Sequence, residues 1–126
     1  MHAVQEPDAV LLPPLTLAVP LTDVEVAAVV AVLKTVAGPI RLRLLQALIQ
    51  QELSVGELVE LVGAHYAAVS QHLARLRAAG LVTARRSGTH MLYRTTNLHL
   101  PALLATALHL AEQTAPQDPA HLHEHH

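Results

Sequence analysis

The sequence predicts a mainly α-helical fold with a small β-hairpin, arranged as a winged helix-turn-helix. Hydrophobic residues make up 52% of the chain, but Tyr66 and Tyr93 are its only aromatic residues, so the core has to be built from Leu, Val and Ala, which favours packed helices. Two short β-prone runs, LVTARR and HMLYRT, flank the turn SGT and predict one hairpin. With 126 residues the chain supports one small domain, for which pairing with a second copy is a natural source of stability.

The first two predicted helices meet at Gly38-Pro39. The first begins near Leu21, with Thr22 or Asp23 as its N-cap, and ends where Gly38 and Pro39 stop it. Pro39 then suits the first position of the second helix, IRLRLLQALIQQ. The apolar stripe of this second helix consists of Ile40, Leu44, Leu45 and Leu48.

Two further helices follow closely and predict a helix-turn-helix. Ser54 and Glu57 form a capping-box pattern that starts a short third helix, and Gly63 is well placed to end it. A fourth helix, from about Tyr66 to Ala79, carries its apolar residues at helical spacing. These apolar residues are Val69, Leu73 and Leu76. One side of this helix therefore packs, and the polar and basic remainder is free to contact a ligand.

The hairpin and the last helix complete the predicted domain, residues 21–113. The hairpin follows Gly80 and carries Arg85 and Arg86 near its tip. The last helix, from about Leu100 to Gln113, is nearly all apolar and needs a partner to cover it. A second copy of the chain is a natural partner, and we therefore predict a homodimer.

The segments on either side of this domain differ from it in composition. Residues 1–20 contain four prolines and no basic start, so they predict a flexible arm and not a secretory signal, while residues 114–126 predict a flexible His-rich tail. The longest apolar run, residues 27–33, is far shorter than the roughly 20 residues that cross a bilayer. We expect a soluble, cytoplasmic protein with no membrane partner. Cysteine is absent, which excludes disulfides and thiolate metal ligands.

The charges of the chain are strongly segregated. Although the formal net charge is −2, no Asp or Glu lies between Leu61 and Ala111, where five arginines fall. Attraction to phosphate depends on the local field, so this stretch predicts a DNA-binding face on the fourth helix and the hairpin. The side chains predicted to contact double-stranded operator DNA are Ser70, Gln71, His72, Arg75, Arg77, Arg85 and Arg86.

At these residues the sequence resembles the ArsR/SmtB family of small homodimeric metalloregulatory repressors. The motifs that carry the resemblance are AGPIRLRLLQAL, SVGELVELVG, VSQHLARLRAAGLV and the wing RRSGTHMLYR. They span about residues 24–113, and the third is the most specific. The resemblance implies a dimer formed by helices one and five, and a repressor that is released from its operator when a metal ion binds the dimer.

The histidines suggest where a metal would bind. Six of the ten follow residue 98, and His109 lies three residues before Glu112, so both emerge on one helix face. If two last helices pair antiparallel about a dyad, His99 near one start approaches Glu112 of the partner subunit. Imidazole and carboxylate ligands without thiolate suit Ni²⁺, Co²⁺ or Zn²⁺.

Within the family, the closest resemblance is to the nickel- and cobalt-sensing branch of the NmtR and KmtR type. It implies that His99 and Glu112 occupy ligand positions and that His121 and His123 of the tail supply further ligands. Two positions depart from the pattern, since Asn97 and Gln113 stand where the family or this branch has metal-binding side chains.

Three alternatives remain open at this point. The chain is a metal-responsive regulator, a DNA-binding regulator controlled by a partner protein, or a metal-buffering or chaperone protein that carries ions on its tail. Catalysis is excluded because no acid, base and nucleophile converge and no Gly-rich phosphate loop is present.

Overall fold

The structure, a computed structural model, describes residues 19–114. In this range five helices and three strands follow one another, which confirms the mainly helical prediction with its winged helix-turn-helix. They are α1 (Asp23–Val36), α2 (Pro39–Gln50), β1 (Leu53–Ser54), α3 (Val55–Val62), α4 (Tyr66–Ala78), β2 (Thr83–Ser87), β3 (His90–Arg94) and α5 (Leu100–Thr114). The chain divides after Thr96 into two compact units, the second of which contains α5. The predicted arm, apart from its last two residues, and the tail beyond Thr114, with His121 and His123, lie outside the described residues.

Two helices begin with complete capping boxes. At the start of α1 the Thr22 hydroxyl accepts from the Glu25 N–H at 3.1 Å, and the Glu25 carboxylate accepts from the Thr22 N–H at 2.9 Å. Ser54 and Glu57 make the same pair of bonds at the start of α3, at 3.2 and 2.8 Å. Removing such a cap typically costs about 1 kcal/mol. The capping box at Ser54 was predicted from the sequence. For α1 the sequence left Thr22 and Asp23 as candidate N-caps, and the structure shows that Thr22 is the N-cap.

The core lies between α2, α3 and α4. The predicted apolar stripes of α2 and α4 face inward. Every residue of the α4 stripe is fully buried, and so is every residue of the α2 stripe except Ile40, which is half-buried. Gly63 ends α3 in the left-handed conformation at φ 69°, which lets α4 start three residues later. The fully buried side chains are Leu44, Leu45, Leu48, Leu58, Val69, Leu73, Leu76 and Val82.

The wing is a three-stranded antiparallel sheet in the order β1-β3-β2, one strand more than the sequence predicted. The extra strand, β1, pairs Leu53 with Tyr93 and Ser54 with Leu92. Two residues are too few to show an alternating pattern, which is why this strand was missed. The hairpin turns at Gly88-Thr89, with Gly88 at φ 65°. Arg85 and Arg86 lie within β2 and not in the turn itself.

Helix α1 leaves most of its apolar surface uncovered by the described part of its own chain. Val36 is its one buried residue in this range, and Val24 is 78% exposed. Further exposed apolar residues of α1 are Val26, Val29, Val30, Val32 and Leu33. Helix α5 also presents Leu108 and Leu110, which are 60% and 57% exposed. No helix in residues 19–114 is both long enough and apolar enough to cross a membrane.

Candidate nucleic-acid interface and metal ligands

Helix α4 presents the polar side chains that were predicted to contact DNA. Its buried residues fix one side of the helix against the core, so Gln71 lies opposite that side and is exposed. Arg75 follows one turn later on the same side as Gln71, whereas Arg77 lies on the other flank together with Ser70. Both arginines are exposed and Ser70 is half-buried. The helix therefore offers an amide between two separated positive charges.

The first turn of α4 lacks a side-chain cap. His65 occupies the N-cap position and, among the described residues, its imidazole makes no capping hydrogen bond. The backbone carbonyl of His65 accepts from the Val69 N–H at 3.0 Å. The first-turn N–H groups are thus donors that an anion at the helix start can use.

Arg41 of α2 is a residue that the sequence interpretation missed. It is half-buried, and its Nε donates to the Thr35 carbonyl at 2.6 Å. Its Nη2 donates to the carbonyls of Lys34 and Ala37 at 3.3 and 3.2 Å. Its Nη1 lies 3.2 Å from Nδ1 of His72. Gly38, at the start of the same helix, leaves space for this guanidinium, but a glycine at that position does not by itself predict the contact.

His72 is half-buried on α4 and held in its neutral form. Burial lowers its pKa, and the positive charges of Arg41 and Arg75 lower it further. Since a guanidinium can only donate, Nδ1 of His72 must accept from Arg41, and we assign the ring proton to Nε2. Nδ1 of this imidazole is therefore occupied by the hydrogen bond from Arg41, and Nε2–H is the ring group that remains for the predicted contact with DNA.

The two wing arginines occupy different environments. Arg85 donates from Nε and Nη2 to the two carboxylate oxygens of Glu52, each at 2.8 Å. The hydrogen bond from Arg85 lowers the pKa of Glu52, and Arg94 adds to the effect through its charge. Arg85 pairs with Leu92 and Arg86 with Met91, so their side chains project to opposite faces of the sheet. Only the Arg85 face holds the Glu52 counter-charge.

Glu52 also changes how the segregated charge has to be interpreted. It lies outside the acid-free stretch along the chain, yet the fold brings it to the wing, 33 residues away from Arg85 in sequence. Arg94 lines the same surface cavity as Glu52 and Arg85. The charge ratio read from the sequence therefore overstates the positive charge on this face of the wing.

The predicted metal ligands of the last helix are exposed but do not meet within one chain. His99 precedes α5 and Glu112 lies near its end, so the helix rise separates them by about 20 Å. His109 is one turn from Glu112, and its Nε2 lies 3.2 Å from Nε2 of Gln113. Residues 19–114 contain no group of three or more His, Asp or Glu side chains able to hold a metal ion. The donors fit Ni²⁺, Co²⁺ or Zn²⁺ by chemistry, while a complete site needs residues from beyond this set.

Comparison with known proteins gives a consistent result. Residues 38–84, which run from the start of α2 into β2, match the family model described as bacterial regulatory protein, arsR family. The HTH-type transcriptional regulator KmtR of Mycobacterium tuberculosis is 44% identical over 102 residues, which are 81% of this chain and 78% of that protein.

Two solved structures extend the similarity to the fold. The AntR antimony-specific transcriptional repressor matches with a TM-score of 0.69 at 35% identity, covering 82% of this chain and 94% of that one. NolR from Sinorhizobium fredii matches with a TM-score of 0.66 at 32% identity, covering 76% and 96%.

Proposed function

Because the chain belongs to the ArsR family of bacterial regulatory proteins, which are DNA-binding transcriptional regulators and not enzymes, we propose that it is a metal-responsive repressor, released from its operator by Ni²⁺, Co²⁺ or Zn²⁺. The observation that carries the metal response is the set of exposed imidazole and carboxylate donors on and beside α5. These donors are His99, His109 and Glu112. Their helix also has exposed apolar side chains, which a second copy of the chain is suited to cover.

Helix α4 is the proposed reading helix. In a major groove, Gln71 faces the base edges, where its amide can both donate and accept. Arg75 and Arg77 project about 160° apart across the exposed side of the helix, which suits contacts to phosphates on the two sides of the groove. The uncapped first turn behind His65 adds backbone donors for another phosphate. On the wing, Arg86 is the arginine that we assign to DNA.

A homodimer explains the exposed apolar side chains. The valines of α1 and the leucines of α5 are costly to leave in water, and contact with a second copy of the chain would shield both sets from water. A dimer also presents two copies of α4 to DNA, which a duplex accommodates when they are about 34 Å apart. The proposed interface therefore uses the first and last helices, as predicted from the sequence.

The length of α5 explains why the metal would need that dimer. His99 and Glu112 of one chain are too far apart to share an ion, but antiparallel α5 helices bring His99 close to Glu112 of the partner subunit. His121 and His123, outside the described residues, are the proposed ligands from the tail, and His109 is a reserve ligand beside Glu112. A bound ion would tie the two helices and the tail together and favour the dimer conformation that binds DNA less well.

Titration of DNA with each metal tests this proposal. The probe is a fluorescent duplex selected from a random-sequence pool by the metal-free protein, here called the selected duplex. We expect Ni²⁺, Co²⁺ or Zn²⁺ to weaken binding about tenfold, within the usual range of allosteric coupling. His99→Ala and Glu112→Gln should remove the metal effect and preserve metal-free affinity, while His90→Ala serves as a control at an exposed histidine of the wing. Affinity that stays constant with all three metals rules out the metal response.

A regulator controlled by a partner protein is the second candidate. Two observations favour it, since Asn97 Oδ1 is engaged by the His99 N–H at 2.8 Å and the Gln113 amide lies beside His109. Both amides stand at positions where ligands were expected, and a neutral amide is a poor metal ligand. Competition with a chromogenic chelator separates the candidates. Metal affinity that is unchanged in His99→Ala and Glu112→Gln supports the partner-controlled regulator.

A further inference from the structure

We propose that Arg41 is a positioning residue for DNA binding, because its guanidinium joins the last turn of α1 to the reading helix α4 through His72. The inference rests on the DNA-binding activity of the family and is independent of any metal response. Neither Arg41 nor this connection follows from the contacts assigned to DNA above.

The first half of the connection is a cap on α1 that is supplied by α2. The last carbonyls of a helix lack partners within that helix and carry partial negative charge. Arg41 donates to three carbonyls in this region, those of Lys34, Thr35 and Ala37, at 3.3, 2.6 and 3.2 Å. A single guanidinium with three acceptors in one place is strongly restrained, so α1 ends in a fixed position relative to α2.

Gly38 provides the space for this arrangement. A Cβ atom at Gly38 would lie 3.3 Å from Nη2 and 3.4 Å from Cζ of Arg41. Its backbone is extended, with φ 178°, so a larger residue here would crowd the guanidinium but would not strain the backbone. The guanidinium therefore rests against the junction of α1 and α2.

The second half of the connection is the contact with α4. Nη1, the remaining terminal nitrogen of Arg41, donates to Nδ1 of His72 at 3.2 Å. His72 lies between Gln71, which is exposed, and Leu73, which is fully buried. A shift of His72 therefore moves the side chain next to it that is proposed to face the bases.

The placement matters because two reading helices must fit one duplex together. Their separation and tilt are set by how each α4 is attached to the helices that pair the subunits, and α1 is one of those helices in the proposed dimer. Apolar packing holds α4 against the core, and a hydrogen bond adds a preferred direction to that restraint. Arg41 supplies a directed, polar connection between α1 and α4.

The test is a double-mutant cycle on the selected duplex and on a scrambled duplex of equal length. The variants are Arg41→Gln, His72→Leu and the double variant, with Arg43→Gln as the matched control because Arg43 is exposed on the same helix. We expect Arg41→Gln to lose about tenfold in affinity for the selected duplex, within the range seen for coupling residues. On the scrambled duplex it should lose no more than Arg43→Gln. The double variant should lose no more than either single one.

His72→Leu and one further variant, His72→Asn, keep the proposal falsifiable if Arg41→Gln disturbs the fold. His72→Leu leaves the cap on α1 intact, and His72→Asn restores an acceptor near Nδ1 and should recover most of the affinity. Losses that add in the double variant mean that His72 contacts DNA independently of Arg41, which overturns the proposal. Equal losses for Arg41→Gln and Arg43→Gln on the selected duplex overturn it too, because they indicate a general effect of charge.

Discussion

Replacing Glu52 with Gln is expected to strengthen DNA binding by releasing Arg85. The wild-type carboxylate accepts two hydrogen bonds of 2.8 Å from this guanidinium and cancels its charge. Arg85 is nevertheless 57% exposed, so its side chain is free to swing toward a phosphate once the carboxylate is gone. Glutamine keeps the volume of Glu52, removes its charge and replaces one of the two acceptor oxygens with an NH2 group that cannot accept from Arg85.

The size of the effect follows from counterion release. Each phosphate that is neutralised adds about 0.9 to the slope of log affinity against log salt. When the salt concentration rises fourfold, from 50 to 200 mM, a variant with one new phosphate contact therefore loses about 3.5-fold more affinity than the wild type does. A dimer makes two such contacts, and the extra loss becomes about 12-fold.

Fluorescence anisotropy with the selected duplex at five salt concentrations measures these slopes. Arg85→Gln should leave the wild-type slope nearly unchanged, because Arg85 is already paired, and the variant Glu52→Gln with Arg85→Gln should lose the gain. Glu60→Gln is the matched control, since it removes an exposed carboxylate for which the described residues show no ion pair. An equal gain in Glu60→Gln, or a gain that persists without Arg85, would refute the reasoning.

Three further predictions concern the reading helix. Arg75→Gln and Arg77→Gln should each lower the salt slope by about one per subunit, and unchanged slopes in anisotropy titrations would mean that α4 does not contact phosphate. The lowered pKa of His72, caused first by burial and then by Arg41 and Arg75, means that the unfolded chain binds its proton more readily. Its contribution to stability should be complete above the unfolded pKa of about 6.5 and decline as the pH falls below that value. Urea unfolding from pH 7.5 to 5.5 should show a smaller decline in His72→Asn, and an identical decline contradicts the assignment. Leu73→Ala should lower the free energy of unfolding by about 2–5 kcal/mol, because a fully buried leucine leaves a cavity, and a smaller loss in urea would show that the core relaxes around it.

The features that were predicted correctly from the sequence are those encoded by residues close together in the chain. The capping box of Ser54 and Glu57 spans three residues, and the stripe of α4 repeats with the helical period, so both can be recognised without knowing the fold. The ending of α3 at Gly63 is a local signal of the same kind.

The features that were missed join distant parts of the chain. Arg41 and His72 are 31 residues apart, and Glu52 and Arg85 are 33 apart, so their meeting depends on how helices and strands pack. No period or spacing indicates such pairs, because in the sequence each partner taken alone resembles an ordinary polar surface residue. The proposed metal site is harder still to predict from one sequence, since its proposed donors at the two ends of α5 would meet only in a dimer.

If the proposed homodimer forms, the open apolar side of α1 makes the activity of this protein depend on its concentration. In the proposed homodimer, the valines of α1 are covered only when two chains associate, so mass action makes the melting temperature rise with protein concentration. Occupancy of an operator by a dimer then depends on the square of the monomer concentration when monomers prevail. A cell that halves its supply of the chain reduces the dimer concentration about fourfold in that regime, so dilution during growth would act on the regulated gene without any ligand.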